Sequence, residues 1–135
     1  MRLRNLTVLL ASLVSACHIG ATASDYTPAT RAEGVTMTIT TGGGSLAGEL
    51  VEVRENGIVM LLSDGRVVLV PWSVTTSAAA QGVPGTRTSY GSKMQPGAEV
   101  RNNLIAVSHF PQGMTPEIQT RFLAAHRQSE IVVIQ

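Results

Sequence analysis

Residues 35–72 read VTMTITTGGGSLAGELVEVRENGIVMLLSDGRVVLVPW, and this stretch decides the fold. Val35, Met37 and Ile39 alternate with Thr36, Thr38 and Thr40, the period of two that gives a strand one apolar and one polar face. Gly42-Gly43-Gly44 interrupts the alternation, and residues 47–54 (AGELVEVR) resume it as a second strand. Asn56-Gly57 is a strong two-residue hairpin signal, because both residues tolerate the positive φ angles such turns need. Residues 58–62 form a third strand, Asp64-Gly65 marks a second tight turn, and residues 67–72 form a fourth strand weakened near its end by Pro71. The expectation is an antiparallel meander of about 40 residues.

Strands three and four are apolar on both faces. Ile58, Met60 and Leu62 point one way, whereas Val59 and Leu61 point the other. One face can fill a small core; the second needs a cover, such as the C-terminal segment or another subunit. The order of strand, glycine-rich turn, Gly48-Glu49-Leu50, Asn-Gly turn, apolar strand and Asp-Gly turn resembles the small SH3-like and Sm-like barrels over residues 35–74. That resemblance implies five short strands bent around a compact core. The fifth has no evident place in the sequence.

Residues 73–97 are rich in Ser, Thr, Gly, Pro and Ala and read as one long loop. Val100, Leu104, Val107 and Phe110 fit a short helix over 98–110, and Phe110-Pro111-Gln112-Gly113 fits a turn. Thr115-Pro116-Glu117 opens a better helix, with a capping threonine, proline at the first helical position and an acid at the positive end. Ile118, Phe122 and Ala125, flanked by Leu123, supply its stripe. Residues 130–134 read as a strand suited to closing the barrel. The fold class expected is therefore mainly β with a helical segment over 98–128, in a single domain spanning 34–135.

The chain before that domain is an address. Arg2 and Arg4 precede an uncharged run, residues 6–16 (LTVLLASLVSA), which is the pattern of an export signal and too short to span a membrane. Val14-Ser15-Ala16-Cys17 then resembles the lipobox of bacterial lipoprotein precursors. The resemblance implies cleavage between Ala16 and Cys17, lipid on the Cys17 thiol, and anchorage by acyl chains at about 0.8 kcal/mol per buried methylene. With His18 after the cysteine, it implies sorting to the outer membrane of a double-membrane bacterium. Ala21-Thr22-Ala23 offers the alternative of ordinary secretion, which would discard Cys17. Residues 17–33 read as a flexible tether.

All 135 residues carry 10 Lys+Arg against 9 Asp+Glu, but Arg2 and Arg4 leave with the signal, so the mature balance is 8 against 9. Such a surface has no basic excess for a phosphate backbone, which argues against nucleic acid. Gly42-Gly43-Gly44-Ser45-Leu46-Ala47 matches a dinucleotide fingerprint, with Asp64 downstream, yet a strand follows where that site needs a helix. His109 and His126 lack the neighbouring Cys or Asp of a metal site, and Ser108 beside His109 lacks an orienting carboxylate. Glu49, Glu52 and Glu55 read as a solvated strand edge, with Glu49 and Glu52 on opposite faces. Trp72, Arg87, Tyr90 and Lys93 could form a patch for sugars, peptides or anionic polymers, against a core role for Trp72. No catalytic residue, metal or cofactor is expected. The sequence thus reads as a lipid-anchored, non-catalytic envelope protein with an envelope protein, a polymer or another copy of itself as partner. Its rivals are a soluble secreted binding protein, an Sm-like nucleic-acid binder and a wall-acting hydrolase.

Overall fold

In the computed structural model, residues 33–83, 88–89 and 96–135 are described. The first four strands follow the sequence pattern closely: β1 (Thr36–Thr41), β2 (Gly44–Val53), β3 (Gly57–Leu62) and β4 (Val67–Pro71) form an antiparallel meander. A 3-10 turn at Trp72–Val74 then leads into β5 (Thr75–Ala80), which returns to pair with β1. The expected 73–97 loop is thereby corrected. Thr-Thr-Ser-Ala-Ala-Ala carries little hydrophobic signal, yet Ala78 and Ala80 are small enough to be buried where the strand meets the core. β6 (Thr88–Ser89) adds to β5, and β7 (Val132–Val133) adds in parallel to β4.

The sheet order is β6-β5-β1-β2-β3-β4-β7, so β7 ends the sheet instead of closing it. The expected closing role for residues 130–134 does not hold. The paired strand is only Val132–Val133, extended by Ile134 N donating to Leu69 O at 2.9 Å, and Ile131 and Ile134 pack among the core residues on either side.

The hairpin between β2 and β3 lies where the sequence puts it, but one residue earlier. Arg54 N donates to Gly57 O at 2.8 Å, leaving Glu55-Asn56 as the loop. Gly57 is needed for closeness rather than for φ: a Cβ there would lie 2.3 Å from Val70 O. At the next hairpin Gly65 does adopt the positive φ, +87°, that the Asp-Gly signal implies.

The two-faced strands fill two cores. Met37, Ile39, Leu50, Ile58, Met60, Val68 and Val70 meet Trp72, Ala78 and Leu104 on one side. Val51, Val59, Val67 and Leu69 meet Phe110 and Leu123 on the other. The cover that the sequence demanded is supplied within the chain. Leu104 comes from α1 (Ala98–Val107) and Leu123 from α2 (Pro116–Ala125), so each helix closes one face. Within α2, Leu123 is the buried anchor and Ala125 is exposed, which rotates the stripe from its expected position.

The ends of α2 show how local chemistry sets its bounds. Thr115 Oγ1 accepts the Ile118 amide at 3.3 Å and Pro116 opens the first turn. At the other end Gln128 N donates to Leu123 O and Arg127 N to Ala124 O, with Arg127 at φ 59°. This is the double bond of a Schellman cap, with arginine at the position usually held by glycine. Gln128 then bonds both backbone groups of Val67, its Oε1 accepting from N at 2.6 Å and its Nε2 donating to O at 3.0 Å. One amide side chain thus imitates a neighbouring strand where β7 has not yet begun.

Two outcomes follow from α2. Leu123→Ala removes the anchor of the second core and is expected to cost about 2–5 kcal/mol in urea unfolding, the range for such buried deletions. Glu117, whose carboxyl is held low by its own backbone amide, by the Thr115 hydroxyl and by Arg121, stabilises the fold above its unfolded pKa. That contribution is lost as pH falls through the lower, folded value. Glu117→Gln is therefore expected to lower Tm at neutral pH, and thermal melts should show the difference closing in acid.

Candidate functional site

Polar side chains gather where β2 meets the segment between the helices. The β2–β3 register shifts between Leu50 and Glu52, and Leu50, Val51 and Glu52 are buried in succession. A bulge of this kind breaks the alternation of faces and frees backbone groups. The segment between the helices bonds beside it: His109 N donates at 3.0 Å to Leu50 O, which faces the β1 side, and Phe110 N donates to Val51 O at 2.9 Å. Val35 N donates to Val107 O at 3.1 Å and Leu50 N to Val35 O at 2.9 Å, so the entering chain lies between the same partners.

Two glutamates complete this junction. Glu49 Oε1 accepts the Gly34 amide at 2.8 Å and lies 2.6 Å from His109 Nδ1. An ionised carboxylate can only accept, so Nδ1 carries the proton of that bond. The His109 ring stacks on Phe110 with centroids 4.3 Å apart and meets the edge of Phe122 at 5.8 Å. Gly34 fits because a Cβ there would lie 1.9 Å from Leu50 O. Glu52 accepts the Met114 amide on Oε1 at 3.0 Å and Arg54 Nε on Oε2 at 2.8 Å. Arg54 Nη2 donates onward to Gln119 Oε1 at 2.7 Å, which ties the end of β2 to α2.

The expected solvated edge at Glu49 and Glu52 is thus corrected. The bulge changes the parity between the two residues, and both carboxylates turn to the covering segment. Sequence spacing alone hides this, since a bulge leaves no mark in the residue count. Asp64 does remain at an exposed hairpin tip, where the Arg66 amide and then its guanidinium hold its carboxyl low.

Trp72 is buried at 4% exposure, and its indole N–H donates to Arg54 O at 3.4 Å, so it belongs to the first core and offers no exposed aromatic platform. The flat indole closes the end of the meander above the β2–β3 turn, where Trp72 N also donates to Asn56 O. Arg87, Tyr90 and Lys93 lie outside the described residues, as do Ala16 and Cys17. His109 and His126 both touch Phe122, the latter at 4.8 Å between centroids. Among the described residues no group of three His, Cys, Asp or Glu side chains is placed to hold a metal. The buried Ser108 hydroxyl donates to Ile105 O at 2.7 Å, finishing α1 instead of facing His109. A shallow depression of ≈ 270 Å³ is lined by Phe110, Ile118, Arg121 and Phe122, and another of ≈ 360 Å³ by Gly42, Gly43, Ser73–Thr76 and Gln135.

What this arrangement can do is hold. Its carboxylates accept main-chain amides from two separate segments, at Gly34 and Met114, and its cation bridges to α2. Glu52→Ala is expected to cost about 1–3 kcal/mol in urea unfolding, because the Met114 amide and the Arg54 guanidinium lose a partly buried partner. Glu52→Gln keeps one acceptor oxygen and should cost less. No family model, curated protein or solved structure matches the chain.

Proposed function

We propose that this chain is a lipid-anchored, non-catalytic protein of the bacterial cell envelope, whose domain serves as an interaction or structural module. The observation that carries the reading is Val14-Ser15-Ala16-Cys17 at the end of a signal with two arginines and an uncharged 11-residue run. The lone cysteine of the chain sits at the one place where a lipidating pathway would use it.

The domain is consistent with this role. Its best-placed titratable groups, Glu49, His109, Glu52 and Arg54, bond to the backbone or to one another across the junction. Groups spent in this way stiffen a fold. The order β5-β1-β2-β3-β4, with a 3-10 turn between β4 and β5, supports an SH3-like arrangement of the sheet. A mature balance of 8 basic against 9 acidic residues favours an envelope protein or neutral polymer over nucleic acid as partner.

The anchor is tested in a bacterial host by fractionation and mass spectrometry. The mature chain should begin at Cys17, carry acyl mass and sediment with membranes, and Cys17→Ser should move it to the soluble fraction or leave it unprocessed. A mature chain beginning at Ser24 without lipid refutes the reading.

A further inference from the structure

The turn between β2 and β3 is closed by one backbone bond where a tight hairpin exchanges two. Arg54 N donates to Gly57 O at 2.8 Å, but Gly57 N does not return the bond, and Arg54 O accepts the Trp72 indole N–H at 3.4 Å. The favoured two-residue turns take a positive φ at one or both central residues, and neither Glu55 nor Asn56 has one. The β4 side gives Gly57 no acceptor either. Trp72 N donates to Asn56 O at 3.0 Å, so Asn56 is the residue that bonds across to β4, and Gly57, opposite Pro71, turns its groups toward β2. The amide of this buried glycine therefore has no acceptor among the described residues, although buried amides are nearly always paired.

The side chain that precedes this amide is that of exposed Asn56, whose carboxamide makes no hydrogen bond among the described residues. An electrophilic carbon thus stands next to an unspent backbone nitrogen, and glycine adds no side chain to obstruct ring closure. We infer that Asn56-Gly57 is a site of spontaneous covalent modification in the folded protein, by deamidation through a cyclic imide. Gly57 N attacks Asn56 Cγ and gives up its proton to water. A C–N bond forms, the Cγ–Nδ2 bond breaks, and Nδ2 leaves as ammonia with a proton. A water molecule then opens the imide at either carbonyl, leaving aspartate or isoaspartate at position 56.

The place of this turn in the fold gives the reaction a structural consequence. Either product adds a negative charge beside exposed Glu55. In the isoaspartyl product the main chain also gains a methylene, and the carbonyl that accepted Trp72 N becomes part of a free carboxylate outside the chain path. The turn then loses its backbone tie to the tryptophan of the first core. Asn102 and Asn103 supply an internal contrast, because the amides that follow them lie inside α1.

The test incubates the full chain, folded, in mildly alkaline buffer and maps its peptides by mass spectrometry, with isoaspartyl methyltransferase to label isoaspartate. Asn56 should lose its amide before Asn102 and Asn103 do. Its rate should lie within about tenfold of the rate in urea, since a hydrogen bond holding Gly57 N would by itself slow the attack about tenfold. Asn56→Gln keeps the amide but needs a larger ring, so it should stay intact and hold its Tm while the Tm of the wild-type chain falls as isoaspartate accumulates. Gly57→Ala does not serve as a control, because a Cβ there would lie 2.3 Å from Val70 O. An Asn56 amide that survives the incubation, a rate slowed by the fold beyond that limit, loss at Asn102 or Asn103 first, or an unchanged Tm in isoaspartyl protein would each overturn the assignment.

Discussion

The bulge at Leu50–Glu52 is the constraint on which the rest of the domain depends. A regular strand shows each core every second residue. Here Leu50 enters the first core and Val51 the second, but the first core is met again only at Val53, three residues after Leu50, with Glu52 buried between. Beside that irregularity the Leu50 and Val51 carbonyls hold the His109 and Phe110 amides. Without those bonds Phe110 would have no fixed place over Val51 and Val59, and the outer face of β2–β4 would be left wet. Each backbone bond contributes only about 1 kcal/mol net. Their position multiplies their effect, because they align a hydrophobic cover.

Side chains repeatedly stand in for strand partners around that bulge. Glu49 receives Gly34, Glu52 receives Met114, and Gln128 serves both groups of Val67. Each bond joins residues 15 to 62 positions apart, so each closes a long loop whose entropy opposes folding. Charge-assisted acceptors suit this role, being roughly twice as strong as neutral ones. The small aromatic content is used in the same region: Phe110 and Phe122, the only two phenylalanines of the chain, meet edge to face at 5.5 Å with His109 beside them.

The meander and its need for a cover were legible because β1–β4 carry strong period-two patterns and Ile58 to Leu62 are apolar on both faces. β5 was not legible, since Thr75–Ala80 buries alanines and signals nothing by hydropathy. The Glu49 and Glu52 contacts were hidden for another reason. They depend on a bulge stabilised by residues some sixty positions away, and local spacing cannot report that. Gly57 marked the right hairpin for the wrong reason, its lack of a Cβ mattering more than its φ. Trp72 showed its two readings in sequence, and burial against the Arg54 carbonyl decides for the core.

The chain's entry point and its open edge sit on different strands. Gly34 and Val35 enter beside β1, fastened to Glu49, Leu50 and Val107, while β7 lies beyond β4 with β2 and β3 between. In a lipid-anchored chain any pull from residues 17–33 reaches the domain at Gly34 and passes directly into the bulge of β2. Four segments share hydrogen bonds there. Tension there bears on the junction instead of peeling a lone edge strand.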